Sequence, residues 1–536
     1  MSAPEEIKET KAQRVERIKQ ERSPLLSVSD IKKELEKSAS LSDETIERLK
    51  WYGFYLQKPS KTDKHRYFML RIKLVDGKAN LEQIKAAARL SKEFGQDTAD
   101  FTTRGDIQLH YIAEHTLDTV LKELEKVNIS TVMACGDCPR NIVTCPVDTV
   151  SLTSIVNVSQ TVQEIDRFFT STNKFENLPR KFKIGVCGCG SQCVKHEIQD
   201  LSFVAFKKGE DILFDITAGG GLGSDKRFAS RLGVACRQGE IVAVCSAVAS
   251  VFKELGRRDD RTKARVRHLL VKLGEKGFLE VIEEKLGFNL IRVAKAPKLV
   301  TINKRNHYGI SFSTQAGKVN IGCAAVGGRS SSHRLERLAQ IIEEYGADSV
   351  KFSGSQNFVL RGVPTEAAKE VSAKLSEIGY PSSPSVFAAG LSACTGLTYC
   401  RLAISETKEF ATQLNSELES AFDDIKVPLS IGISGCQNGC SHPFIADISI
   451  VGTMVKVSDG VFERGFEIGL GGRLAGRKSV FATTTQLKLT PKEIKEFVHH
   501  ALDLFKKRGK RSFSAFVRQE GKEIVDEFQN RKTATL

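Results

Sequence analysis

The sequence predicts a mixed α+β/α/β fold of duplicated architecture, one structural unit written twice in a single chain. Three observations lead there. The segment Phe94 to Leu109 recurs without a gap 251 positions later as Tyr345 to Leu360. Ahead of each copy lies an amphipathic helical pattern, Leu81, Ile84, Ala88 and Phe94 in the first and Leu335, Leu338, Ile342 and Tyr345 in the second. Extended runs precede these, Tyr67 to Leu74 and Tyr308 to Thr314, so each unit reads strand, helix, strand. Further on, Cys189 to Cys193 leading to Asp200 echoes Cys436 to Cys440 leading to Asp447, and Ala134-Cys135 parallels Ala393-Cys394.

The 536 residues suffice for three to four domain-sized units. Residues 1–50 form a charged arm; Met1 to Arg22 lacks the apolar core of a signal peptide and reads as a solvated helix. Residues 51–130 hold the first strand–helix–strand unit and 131–300 the larger segment that follows it. Residues 301–380 and 381–536 repeat that pair. The longest apolar run, Ile241 to Phe252, is too short to cross a bilayer, which argues against a membrane protein. Thirteen cysteines in such a chain point to a reducing compartment, the cytoplasm, where thiols serve metals rather than disulfides. The net charge of +15 fits either an unspecialised basic surface or a docking face for an acidic electron donor. Neither a zinc finger nor a concentrated basic tract supports nucleic-acid binding.

Cys394 and Cys400 followed by Cys436 and Cys440 give Cys-x5-Cys, a gap of 35 residues, then Cys-x3-Cys. That is enough thiolate for one [4Fe–4S] cluster, and the glycines around Cys436 let backbone amides approach its sulfurs. Zinc sites more usually use Cys-x2-Cys hairpins on both sides. In the first half Cys135, Cys189 and Cys193 occupy three cluster-like positions, with Asn141 set against Cys400. Cys138, Cys145 or Cys187 could complete a second metal centre there, residual cysteines of the duplication being the simpler explanation.

This cysteine pattern, with Phe444-Ile445-Ala446-Asp447 after it, resembles the signature of the sirohaem-containing nitrite and sulfite reductases. The resemblance implies two ferredoxin-like half domains and two larger sirohaem/[4Fe–4S]-binding halves related by a pseudo-two-fold axis. It also implies a [4Fe–4S] cluster on the four thiolates, sirohaem beside it, and Cys440 shared between the two. Phe101 to His110 resembles the family's substrate-arginine and sirohaem-contact motif, giving Arg104 to the anion and Gln108 and His110 to the macrocycle. Cys135 to Asn141 supplies a second substrate arginine, Arg140, with Asn141 at the cofactor. Leu178 to Lys183 supplies Arg180 at the cofactor and Lys181 and Lys183 at the anion. Ser355 stands where Arg104 would be in the second copy, so the anion pocket belongs to the first.

The glycines Gly219, Gly220 and Gly221 resemble a segment near the sirohaem carboxylates, where unshielded amides could bind acid groups; Asn438 lies in the cluster turn. Arg257, Arg258, Arg261 and Arg265 could pair with the same carboxylates or form an exposed charged helix face. Tyr67 and Cys135 resemble the places where some ferredoxin-dependent sulfite reductases carry a tyrosine–cysteine thioether.

Nitrite reductases of the plant and cyanobacterial type typically have Asn two residues after the motif lysine, whereas this chain has Lys183. The expected reaction is therefore six-electron reduction of sulfite to sulfide by a monomer fed by ferredoxin or a flavoprotein. The alternatives are ferredoxin-dependent reduction of nitrite to ammonia and a non-catalytic sirohaem/iron–sulfur electron carrier.

Overall fold

The computed structural model describes residues 9–26, 28–37, 40–58, 65–152, 154–189, 193–295, 297, 307–474 and 478–535. Among these, four five-stranded sheets carry the architecture. Two belong to the repeated unit. Their strand orders are 54–56, 67–72, 107–113, 99–101, 329–330 and 309–312, 318–323, 358–364, 349–352, 78–79. The last strand of each comes from the other copy: Arg329 pairs with Asp100, and Lys78 pairs with Lys351. Each half thereby covers an edge of the other's sheet. The chain turns toward that exchange at Gly77, whose φ of +68° and 2.7 Å clearance from the Phe352 carbonyl at the Cβ position leave no room for a side chain. Helices Leu81–Phe94 and Ser332–Tyr345 pack together, and both copies share one apolar core.

The extended run Tyr308 to Thr314 is not the counterpart of Tyr67 to Leu74. In the second sheet the position of strand Tyr67–Ile72 is taken by Lys318–Cys323, and Gly309–Phe312 is an edge strand like Phe54–Leu56. An apolar run marks extension but not its place in a sheet; Phe312 is 77% exposed.

The larger halves each add a sheet with its own core, 184–187, 201–208, 211–218, 230–236, 291–292 and 391–393, 431–434, 448–458, 461–470, 483–489. Parallel pairing joins 184–187 to 201–208, and 391–393 to 431–434 to 448–458. Parallel strands bring their C-terminal ends together, and that is where the cysteine loops emerge.

The N-terminal arm is docked rather than solvated. Helix Lys11–Glu21 buries Ala12, Val15 and Ile18, one face at helical spacing. Lys19 on the same helix reaches the Leu178 carbonyl at 2.9 Å and stands 3.6 Å from Asp137. No helix among the described residues is long and apolar enough to cross a membrane.

Candidate active site

Cys394 ends the strand Leu391–Ala393, and its amide donates to the Ile433 carbonyl at 3.0 Å. Cys436 follows the adjacent strand Ile431–Ser434, and the intervening Gly435 amide donates to Cys394 Sγ at 3.1 Å. Cys400 is fixed by its amide on the Gly396 carbonyl at 2.9 Å. Gly439, at φ +62°, lets the turn pass against the Phe444 ring, which a Cβ would meet at 2.7 Å. Burial raises the Cys394 thiol to about 12, and burial likewise raises Cys400 and Cys436. A bound metal centre is what would turn such thiols into thiolates. Asn438 is exposed in the turn beside Cys436, and Cys440 is exposed. Four sulfurs converging from two parallel strand ends, with an amide already directed at one of them, fit a [4Fe–4S] cluster.

The first copy reaches this site through the turn Thr102 to Asp106. Thr103 Oγ1 donates to the Cys440 carbonyl at 3.2 Å. Thr102 Oγ1 accepts from the amides of Arg104 and Asp106, bending the chain so that Arg104 points inward. The Arg104 guanidinium donates to the carbonyls of Asn141 and Ile184, at 2.8 and 3.0 Å, and to Gln199 Oε1 at 3.0 Å. Burial lowers its pKa to about 9, with Asp106 opposing. Asn141 holds this turn from the other side, its amide nitrogen donating to Leu74 O at 2.7 Å and Asp106 Oδ1 at 2.6 Å. It thus acts as a clamp on Arg104.

Arg140 is held by the Gly136 carbonyl at 2.9 Å and Ala134 O at 3.3 Å. Burial works against its charge, yet Tyr55, Cys135 and Cys138 raise its pKa. Lys181 and Lys183 are half-buried. Burial, then Arg104 and Arg265, lower Lys183 to about 7, the nearby Cys440 thiol opposing. Burial, then Lys183 and Arg180, pull Lys181 well below its ordinary value. The predicted cations are thus near enough to depress one another: Lys183 and Arg140 act on Lys181, Arg104 on Lys183, and Arg140 on Arg104. Arg265 forks onto Asp200 at 3.0 and 2.7 Å, and the same carboxylate accepts the Lys183 amide at 2.8 Å.

Several predicted cofactor contacts have other partners. The amides of Gly219, Gly220 and Gly221 are not unshielded; they donate to the carbonyls of Asp200, Gln199 and Arg227 at 2.9, 2.8 and 2.9 Å. Their use is close approach: a Cβ on Gly220 would meet Gln199 O and Glu197 O at 2.6 Å, and one on Gly221 would meet Arg267 Nη1 at 2.6 Å. Arg267 Nη1 is buried and makes no hydrogen bond among the described residues, while its Nε stands 3.7 Å from Asp225 Oδ2; that buried Nη1 beside Gly221 fits an acidic group of a tetrapyrrole. His110 is fully buried, stacked on Tyr399 at 4.0 Å and bonded to Asp100 at 3.0 Å. Burial opposes the Asp100 charge, but Lys408, Arg329 and His110 hold its pKa below the usual carboxylate range. Gln108 is buried on the same strand as His110, opposite Asp100.

The four arginines occupy an irregular segment before helix Val266–Leu286 rather than a helix face. Arg257 pairs with neighbouring Asp259, Arg258 with Glu16, and Arg261 with Asp137, which Arg180 also approaches at 3.3 Å.

Tyr67 is not the tyrosine that faces Cys135. Its ring packs edge-on against Tyr111, whereas Tyr55, opposite Met69 on the neighbouring strand, lies within electrostatic reach of Cys135 and Arg140. Arg71, two residues beyond Met69, reaches Ala134 O at 3.4 Å, which puts residues 134 and 135 at the far end of the strand from Tyr67.

Sequence reasoning missed Gln199, Asp200, Asp137, Lys195, Arg267 and Tyr55. A signal existed for Asp200. It echoes Asp447, which accepts the Ser430 amide at 2.8 Å just as Asp200 accepts that of Lys183.

Residues 135–290 and 389–521 match the nitrite and sulphite reductase 4Fe-4S domain, and residues 60–127 and 313–378 match the nitrite/sulfite reductase ferredoxin-like half domain. The chain is 32% identical over 480 residues to ferredoxin sulfite reductase 2 of Mycolicibacterium paratuberculosis, covering 86% of each. It is 28% identical over 507 residues to the ferredoxin–nitrite reductase of Leptolyngbya laminosa, covering 92% of this chain and 97% of that one. The solved structure of the Mycobacterium tuberculosis NirA protein superposes with a TM-score of 0.89 at 30% identity, covering 95% and 96% of the two chains. Duplicated half domains, a cubane-type thiol quartet and these matches together make the chain a member of the nitrite and sulfite reductase family, whose cofactors are sirohaem and a [4Fe–4S] cluster.

Proposed function

We propose that this chain reduces sulfite to sulfide, taking six electrons singly from an acidic donor such as ferredoxin or a flavoprotein. The observation that carries the reading is the state of Arg104, Arg140, Lys181 and Lys183. They crowd together beside the cluster loop, yet none makes an ion pair among the described residues. Like charges so placed call for an anion. Each could offer about 4 kcal/mol of attraction at ~4 Å and an effective dielectric of about 20.

The bound cofactors supply the electron transfer; Cys394, Cys400, Cys436 and Cys440 would hold the cluster, and the family resemblance gives Cys440 to both groups. The protein's own contribution is orientation and protons. Arg104 and Arg140 are fastened by backbone carbonyls, so their forks are set before an oxyanion arrives. Lys183, with a pKa near neutrality and partial exposure, is suited to release a proton to a departing oxygen and regain one from solvent. A second lysine in place of the nitrite-type Asn favours the more highly charged substrate. One chain holds both halves of the site, which suits a monomer, and its thiols suit a reducing cytoplasm.

Nitrite reduction to ammonia is the second reading, supported by the similarity to the Leptolyngbya enzyme. The deciding experiment measures kcat/KM for sulfite and for nitrite on cofactor-loaded protein with a viologen donor. A ratio favouring sulfite supports the proposal. A ratio favouring nitrite selects the second reading, and turnover of neither leaves an electron carrier.

A further inference from the structure

The first half contains a second gathering of sulfurs that this reaction does not use. Cys193 Sγ and Cys145 Sγ lie 3.0 and 3.5 Å from His307 Nε2, and the three ligand atoms are all within 4.8 Å of one another. Cys189 adjoins both of these thiols, and its Sγ is 3.4 Å from Cys187 Sγ. Cys145, Cys187 and Cys189 are buried, and Cys193 is partly so. Cys135 and Cys138 lie elsewhere, in the neighbourhood of Arg140.

The backbone register shows where this group belongs in the duplication. Val143 pairs in parallel with Gly185 as Ser392 pairs with Gly432. Cys145 and Cys394 each follow two residues after the first partner of the pair. Cys189 and Cys193 follow Gly185 by four and eight residues, as Cys436 and Cys440 follow Gly432. Cys145, not Cys135, is therefore the counterpart of Cys394, and the place of Cys400 falls on Ser151. Three cluster positions persist in the first half, the fourth thiol is gone, and an imidazole from the start of the second copy has come in.

We propose that Cys145, Cys189, Cys193 and His307 bind a single tetrahedral zinc ion. With Zn–S about 2.3 Å and Zn–N about 2.0 Å, ligand atoms on a tetrahedron stand roughly 3.5–3.8 Å apart. The Cys193 and Cys145 sulfurs, 3.0 and 3.5 Å from His307 Nε2, are close to that spacing, while Cys189 Sγ lies outside the tight trio and would close in as the fourth ligand. A cubane holds its thiolates further apart around a larger core. Among the described residues, no comparably tight trio is formed by Cys394, Cys400, Cys436 and Cys440. Mixed thiolate and imidazole donors suit zinc, whereas iron–sulfur clusters are held mainly by four thiolates. Binding would release the three thiol protons and leave the imidazole neutral. Cys187 stands beside the ion as a neighbour of Cys189.

The ion would be structural. It ties residue 307 to the first half, bridging sequence separations of 162 and 114 residues. It also anchors the segment running from Cys193 to Gln199, whose side chain holds Arg104 at 3.0 Å.

The test is elemental analysis of cofactor-loaded protein, purified without a metal-affinity tag or chelator. About one zinc per chain is expected beside about five irons, with a zinc-edge X-ray absorption shell of three sulfurs and one nitrogen. In the Cys193→Ser/His307→Ala variant the zinc should disappear while the iron remains. Should that variant fail to fold, the absorption shell of the unaltered protein decides alone. Three results overturn the proposal: zinc below a tenth of an equivalent, about nine irons indicating a second cubane, or a disulfide among these cysteines in an unreduced peptide map.

Discussion

Lys195 Nζ lies 3.2 Å from His442 Nδ1, and the two residues occupy the same place in the two copies of the chain. Each follows the last cysteine of its loop by two residues, and each takes the left-handed backbone conformation, at φ 49° and 63°. The contact therefore crosses the pseudo-two-fold axis between like positions that have diverged into a donor and an acceptor. Burial lowers Lys195 to about 8 and, reinforced by Lys195 and Lys183, pulls His442 well below its ordinary value, so a neutral ring receives the ammonium proton. Nζ also donates to the Gly354 carbonyl at 3.2 Å. Lys195→Ala should cost about 1.5–3 kcal/mol, the range for hydrogen bonds to a charged group. Thermal melting of the holoprotein reads this; an unchanged Tm would make the contact incidental.

The pKa of Lys183 near 7 makes a signed prediction about pH. Its protonated form is the one that attracts an anion and donates a proton, so the activity it supports is present below pH 7 and declines above it. On this basis kcat/KM for sulfite should fall up to about tenfold per unit on the alkaline side. Lys183→Arg keeps its charge throughout and should remove that limb. Comparing the two proteins cancels the titration of sulfite itself, and superimposable profiles would assign the limb to another group.

Substrate choice is tested at the same position. Lys183→Asn should lower sulfite kcat/KM by roughly 10²-fold or more, the scale of a positioned proton donor. Nitrite, with less charge and fewer oxygens to remove, should lose less or gain. The quantity to measure is the ratio of the two kcat/KM values, which is insensitive to incomplete cofactor loading. If it does not move, this lysine does not discriminate between the anions.

A thioether between Tyr55 and Cys135 is the form in which the family's tyrosine–cysteine link would exist here. Tryptic mass spectrometry should find the two peptides joined and two hydrogens lighter than their sum. Tyr55→Phe should release Cys135 to alkylation, whereas Tyr67→Phe should not. Finding Cys135 fully alkylatable in the unaltered holoprotein would exclude the link.

The repeat of Phe94–Leu109, the helices before each copy and the Cys394/Cys400/Cys436/Cys440 spacing were legible in the chain itself. Apolar periodicity and local spacing are properties of contiguous sequence, and the Thr102 hydroxyl bends the turn Thr102 to Asp106 locally, although the carbonyls of Asn141 and Ile184 and the side chain of Gln199 fix its arginine. Four features could be decided only in three dimensions. The exchange of Lys78–Ala79 and Arg329–Ser330 between sheets depends on edges that exist only once both copies fold together. The pairing of Val143 with Gly185, which makes Cys145 rather than Cys135 the partner of Cys394, is a parallel register with no local signature. Tyr55 displaces Tyr67 beside Cys135 because neighbouring strands set which side chains meet. The amides of Gly219 and Gly220 and the arm's helix found protein partners outside their own stretch of sequence, at Asp200, Gln199 and Leu178. In each case the outcome was set by which distant backbone or apolar surface came within a few ångströms, a quantity that composition and spacing do not contain.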